Sequence, residues 1–337
     1  MQALNQSRRR LTAAGLAAVG ASALRPGSAW AAWKPSQVVE FVVPAGPAGA
    51  LDQVGRTMKQ YVDENRLLPK AMVVANKPGG NGKIAFDQLK QRNGDPNVLS
   101  VNTHGYIASY LTGNLDVLPH RAFTSIAVLQ DEFLVLAVRT ESPLRTLGDA
   151  IEALRRNPQS LSIAVATSIG NHIHVGTAKV LKVAGVDIRN LVVAPFKSSA
   201  ESMVALMGGH IDLVAATTPN VITPLQSGKI RLLTVSADKR LGGVFANVPT
   251  WREAGVDSDF SSALGIIAPA GISAEQIEFW EGTCRNMAQS ALWKELAERN
   301  QSRPRFVGAA EATRFYEQET IAMRGIVKEL GLLGADK

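Results

Sequence analysis

The chain of 337 residues is long enough for about two domains, and 46% hydrophobic with 19% charged residues is the balance of a folded globular protein, not of a disordered one. Lys plus Arg is 36 against 29 Asp plus Glu, but Arg8, Arg9, Arg10 and Arg25 fall within residues 1–31, which hold no acid, so the rest keeps 32 bases and a net +3. Those bases are scattered and not striped, which removes the case for nucleic acid as a partner, and the single Cys284 excludes an internal disulfide and a cysteine-based metal cluster.

Residues 1–31 read as an export leader. Ser7-Arg8-Arg9-Arg10-Leu11 is a twin-arginine pattern, residues 11–24 are a short apolar run, and Arg25-Pro26-Gly27 breaks it. Ala29-Trp30-Ala31 then sets small residues for cleavage after Ala31. The run is too short and too rich in Ala and Gly to span a bilayer, and no later stretch is long enough to do so. The expectation is a periplasmic protein with no stable membrane insertion.

Residues 38–43 form an apolar run broken by Glu40 and bounded by Pro44, the signature of a buried strand. Residues 52–64 follow as a helix with Val54, Met58, Tyr61 and Val62 at apolar positions. Between them, Pro44 to Ala50 has almost no side chains and no charge. A strand that ends in such a loop and opens a helix presents backbone N–H groups at the positive end of the helix dipole, which is a seat for an anion. A tight turn that binds nothing fits the same residues.

Residues 71–76 are a second strand, and 84–92 a second helix. The loop between them, Lys77-Pro78-Gly79-Gly80-Asn81-Gly82-Lys83, fails the phosphate-loop pattern at Lys77 and Ile84. It frees N–H groups at another helix start, with the charge of Lys83 beside them. A plain turn again fits too. Residues 98–102 and 125–129 are further strands, and the alternation of strand and helix predicts an α/β fold with doubly wound, mostly parallel sheets.

The strong strand at 133–139 marks a crossover into a second series. Thr146 to Asp149 has capping-box spacing for a helix ending at Asn157-Pro158. Residues 162–166 are a strand, followed by the loop Thr167 to His172 and a helix to Ala184. Residues 191–194 are a strand, and Ser198-Ser199-Ala200-Glu201 is a second capping box for a helix stopped by Gly208-Gly209. Strands at 211–216 and 231–236 complete this series. Residues 265–268 cross back, Ser273 to Gln276 caps a long helix, and helical stretches continue to Leu330. The boundaries are residues 32–130 with 256–337 for one lobe and 131–255 for the other, with a ligand cleft between them.

Catalytic machinery does not stand out. His172 and His174 are two apart and point away from each other on a helix, unlike the i, i+4 pair of a helical zinc site. Ser168 lacks the first glycine of a nucleophile elbow, so Thr167 and Ser168 read as cap or ligand donors, and Ser198 and Ser199 as caps first. An exported α/β hydrolase using Ser168 and His172 is the competing reading. Cys284 lies on an amphipathic helix and reads as a buried thiol.

The blocks FVVPAGPAGALD, NKPGGNGKIAF, TSIGNHIHVG, FKSSAESMVALMGGHIDLV, SGKIRLLTVSADKRLGG, VPTWREAGV and GIIAPAGIS together resemble the Bug-type solute receptors of tripartite tricarboxylate transporters, over essentially the whole mature chain. The resemblance implies a two-lobed periplasmic binding protein of type II; a monomer without cofactor or metal is the accompanying expectation. It would capture a small organic acid and deliver it to a permease of one large and one small subunit, or present it to a membrane sensor. It carries ligand contacts onto Ala45, Ala48, Gly49, Ala50, Leu51 and Asp52 of the first loop and onto Gly79, Gly80, Gly82 and Lys83 of the second. The second lobe would add Thr167, Ser168, Asn171, His172, Ser198 and Ser199. The chain departs from the family's PFAPGGGTD pattern at Ala45, Ala48 and Leu51. It also has Lys83 where an uncharged residue is common, and Ser262-Ala263-Leu264 where a tryptophan often stands. These changes make the seat more apolar and leave room for a bulkier acid.

Overall fold

The computed structural model describes residues 33–47 and 49–337. The predicted leader, its cleavage point and the predicted contact Ala48 lie outside the described residues. Strand β1 (Val39–Val43) buries Val39, Phe41, Val42 and Val43. Helix α1 (Ala50–Glu64) buries Val54, Met58 and Val62. Gly55 lets it approach β1, because a Cβ there would stand 2.8 Å from Phe41 Cδ1. Strands β2 (Met72–Asn76) and β3 (Val98–Thr103) flank β1 in parallel, with α2 (Lys83–Gln91) between them in sequence. Helix α3 (His104–Leu111) starts directly from β3, and α4 (Pro119–Ala122) precedes β4 (Thr124–Arg139).

Strand β4 joins the two lobes. Its first part, through Phe133, pairs antiparallel with β9 (Ser261–Ala268), and Leu134 to Arg139 pair antiparallel with β7 (Leu213–Thr217) and β8 (Ile230–Val235). The sequence predicts two strands here, at 125–129 and 133–139; the structure makes one strand of 16 residues. The difference lies in Gln130, Asp131 and Glu132, which look like a polar break but are all buried. Asp131 is held by Arg303 at 2.9 Å and Arg305 at 3.3 Å.

The second lobe continues with α5 (Leu147–Arg156), β5 (Ser162–Ala166), α6 (His172–Val183), β6 (Val192–Phe196), α7 (Ser199–Met207) and α8 (Ile222–Gln226). Strand β5 pairs in parallel with β6 and β7. The sheet order is β2-β1-β3-β9-β4-β7-β5-β6, parallel at both wings and antiparallel in the centre, with β8 and β10 (Arg303–Gly308) also on β4. After β9 come α9 (Ala274–Gln289), α10 (Ala291–Asn300), β10 (Arg303–Gly308) and α11 (Ala309–Glu329). Among the helical stretches expected to Leu330 the structure sets strand β10, where Phe306 and Val307 favour strand and the arginines reach Asp131.

Local signals hold well. Thr146 with Asp149 and Ser273 with Gln276 form full capping boxes. At α7 only half a box forms: Ser198 Oγ accepts from Glu201 N, while the Glu201 carboxylate accepts from Lys197 N. Cys284 is buried in α9, with its thiol pKa raised by desolvation. Among the described residues no helix is long and apolar enough to cross a membrane.

Candidate functional site

A cavity of about 230 Å³ opens between the lobes, lined by Ala45, Gly49, Ala50, Leu51, Thr103, Glu132, His172, Ile173, Thr217, Asn220, Ser262 and Leu264. Its walls come from the carboxyl ends of β1, β3 and β7, from the start of α6, and from Glu132, Ser262 and Leu264 on the neighbouring strands β4 and β9. That is where ligands sit in open α/β sheets, since helix starts and loops gather there.

Three helix starts shape the cavity: those of α1, α3 and α6. Thr103 Oγ1 caps α3 by accepting from Gly105 N at 3.1 Å. Asn171 caps α6 by accepting from His174 N at 2.9 Å, while its amide donates to Ala166 O. The N-cap of α1 is Gly49, which has no side chain with which to cap the helix. The start of α1 therefore presents the N–H groups of Ala50 and Leu51 at the positive end of a 15-residue helix.

The loop before α1 is clamped from behind. Asn76 Nδ2 donates to Ala45 O at 3.1 Å and to Asp52 Oδ1 at 2.9 Å, and Arg56 Nε donates to Asp52 Oδ2 at 2.7 Å. Asp52 is only 1% exposed. It positions the loop and does not line the cavity. Tyr106 Oη also donates to Pro44 O, at 3.4 Å.

The cavity holds two ionisable lining residues, Glu132 and His172. Desolvation lowers the His172 pKa to about 3, with a smaller push from His104, so its ring is neutral at ordinary pH. Its Nδ1 has no hydrogen-bond partner among the described residues, and the ring lies so near Gly105 that a Cβ there would stand 3.2 Å from Nδ1. Burial pushes the Glu132 carboxyl up to about 7, and its Oε1 has no partner either. His104 sits behind: its Nδ1 accepts from Ala263 N at 2.8 Å and its Nε2 reaches Glu319 at 2.9 Å, which fixes β9 against α3.

Of the residues predicted from sequence, the cavity gathers Ala45, Gly49, Ala50, Leu51 and His172. Gly79, Gly80 and Gly82 take positive φ in the second loop and do not line this cavity; Gly82 packs against Tyr106 and Phe86. Lys83 is drawn to Asp116 at 2.7 Å and Asp87 at 3.2 Å, which raise its pKa. Thr167, Ser168, Ser198 and Ser199 also stay off the lining, as does Asn171 with its cap and anchor bonds. Thr103, Glu132, Thr217, Asn220, Ser262 and Leu264 also line the cavity and are not among the site residues expected from the sequence. Thr217 to Asn220 had a usable signal, a polar loop directly after a strand, and Ser262 to Leu264 already stood out as a departure from the family pattern.

These walls offer neutral hydrogen-bond donors, a helix start and apolar surface. With Nδ1 unpartnered, no acid orients His172, and Ser168 does not reach the cavity, so the arrangement lacks the linked nucleophile, base and acid of a hydrolase. Among the described residues no His, Cys, Asp or Glu cluster could hold a metal.

Comparison with known proteins agrees with the fold. The chain is 25% identical over 324 residues to the UPF0065 protein in the gbd 5' region of Cupriavidus necator, covering 96% of each chain. It superposes on R. palustris Rpa4515 with adipate at a TM-score of 0.76 and 24% identity, covering 88% of this chain and 98% of that one. MatC from Rhodopseudomonas palustris with bound malate gives a TM-score of 0.72 at 19% identity, covering 87% and 99%. The family model for the tripartite tricarboxylate transporter family receptor, TctC, matches residues 56–332, and the chain belongs to that family.

Proposed function

We propose that this chain is the extracytoplasmic receptor that captures a small carboxylate in the cleft between its lobes and delivers it to the membrane permease of a tripartite tricarboxylate transporter. It is a binding protein and not an enzyme, as its family is. The observation that carries the ligand class is the start of α1, at Gly49, opening into a cavity that also presents Thr103, Thr217, Asn220 and Ser262. The solved relatives with malate and adipate support the same class.

In this reading the carboxylate accepts from the N–H groups of Ala50 and Leu51, and Thr103, Asn220 and Ser262 hydrogen-bond the remainder. Gly79 to Lys83 and Thr167 to Asn171, with Ser198 and Ser199, act at the rim when the lobes close. The mature chain begins after Ala31, works as a monomer, and assigns 32–130 with 256–337 to one lobe and 131–255 to the other. Strand β4, common to both lobes, is the element about which they close.

The test is native mass spectrometry of the mature protein as purified, followed by a thermal-shift screen of mono-, di- and tricarboxylates. A small-acid adduct, or an acid that stabilises by about 2.7 kcal/mol at a hundred times its dissociation constant, is the expected result. No adduct and no shift with any acid would overturn the proposal.

A further inference from the structure

The polar triplet of β4 is divided between two faces. Alternation along the strand sets Asp131 on one side and Gln130 and Glu132 on the other. Asp131 is fully buried and is matched by Arg303 and Arg305. Glu132 is 9% exposed, lines the ligand cavity, and lies opposite Ser262 in the β4–β9 ladder. No cation among the described residues pairs with it, and its Oε1 accepts no hydrogen bond. Gln130, on the same face, also keeps both amide atoms without partners.

A buried carboxyl without a partner is expensive, so such a group inside a ligand cavity calls for a partner that the chain itself does not supply. The other lining residues include no Lys or Arg. His172 is neutral and does not offset the charge. A ligand with two carboxylates would leave one facing Glu132 without a compensating cation. A ligand with a carboxylate at the start of α1 and a positive nitrogen at Glu132 satisfies both ends at once.

We propose that Glu132 is a specificity-determining residue of this cavity, and that it selects ligands which carry a cationic nitrogen in addition to the carboxylate, that is, aminocarboxylates. The inference rests on the carboxylate reading of the cleft and narrows it. Discrimination comes from attraction to the ammonium and, equally, from repulsion of a second carboxylate.

The test is calorimetric titration of the mature protein at pH 8. The probes are unbranched acids of four to six carbons in three forms: the plain monocarboxylate, the dicarboxylate and the ω-aminocarboxylate. In the wild type, at one chain length or more, the aminocarboxylate binds at least tenfold more tightly than both matched acids. In Glu132→Gln, which keeps the shape and removes the charge, that preference falls to near one. Glu132→Ala, checked for folding by circular dichroism, loses the preference in the same way. Wild-type preference for the dicarboxylate, or an unchanged preference in Glu132→Gln, overturns this inference and leaves the carboxylate reading standing. If no probe of any form binds the wild type, the carboxylate reading fails and this inference with it.

Discussion

Gly49→Asp separates the seat at the start of α1 from every other part of the cavity. Gly49 has φ −79° and ψ 172°, a conformation open to any residue, and a Cβ there meets only Gly46 O at 3.9 Å. An aspartate therefore fits without strain, and its side chain accepts from the first-turn N–H groups that Gly49 leaves uncapped. Against glycine, the new cap and its charge at the dipole stabilise the protein by a few tenths to about 1 kcal/mol. The same carboxylate takes the place of the ligand's. A charge-assisted hydrogen bond is worth ~1.5–3 kcal/mol, so affinity falls ~10- to 150-fold before repulsion between the two carboxylates is added. Gly49→Ser caps without charge and gives an intermediate loss. Urea denaturation and calorimetric titration of the best acid read the two effects side by side. If Gly49→Asp binds that acid as the wild type does, the ligand carboxylate does not use the start of α1.

Other outcomes follow from the same contacts. Asp52→Ala removes a buried acceptor from Asn76 and loosens the first loop, so stability in urea falls by about 2 kcal/mol and ligand affinity falls with it; the exposed Arg56 contributes little of this. Gly55→Val drives side-chain atoms into Phe41 and Val43 and destabilises by about 1–3 kcal/mol, also read in urea. Asp131→Ala leaves Arg303 and Arg305 without their common acceptor and costs about 3 kcal/mol, with the β4–β10 pairing the first to exchange its amides. For Glu132 the folded carboxyl titrates near 7 instead of its ordinary 4.5. A raised acid stabilises the protonated native state, so the wild type loses stability as pH rises from about 4.5 through 7, by about 3 kcal/mol in full. Glu132→Gln lacks that loss, and urea melts from pH 4 to 8 show the variant gaining on the wild type across this window. Parallel curves for the two proteins would contradict the burial of an unpaired carboxyl.

Much of the fold is legible because its signals are local. The apolar run at β1, the small-residue loop and the helical spacing of Val54, Met58 and Val62 identify the first unit without any tertiary knowledge. The capping boxes at Thr146 and Ser273 place helix starts to the residue. The centre of the sheet is not legible in this way. Residues 130–132 look like a break because their burial depends on Arg303 and Arg305, about 170 residues onward, and on a cavity shared by both lobes. The same distance hides Glu132 as a lining residue. In the first loop the pattern points to Gly49, Ala50 and Leu51, which do line the cavity, but it cannot tell them from Asp52, whose side chain turns back to Asn76 and Arg56. The second glycine loop shows the opposite limit. Its positive-φ glycines signal a special backbone, yet Lys83 is drawn to Asp116, a pairing across 33 residues that no local spacing announces.

The most direct measurement is a crystal structure of the mature protein with its tightest-binding acid. The account predicts a carboxylate oxygen ~2.7–3.2 Å from the backbone nitrogens of Ala50 and Leu51, with the rest of the molecule running toward Glu132 and Ser262. A carboxylate held elsewhere, with the start of α1 left to solvent, would contradict it.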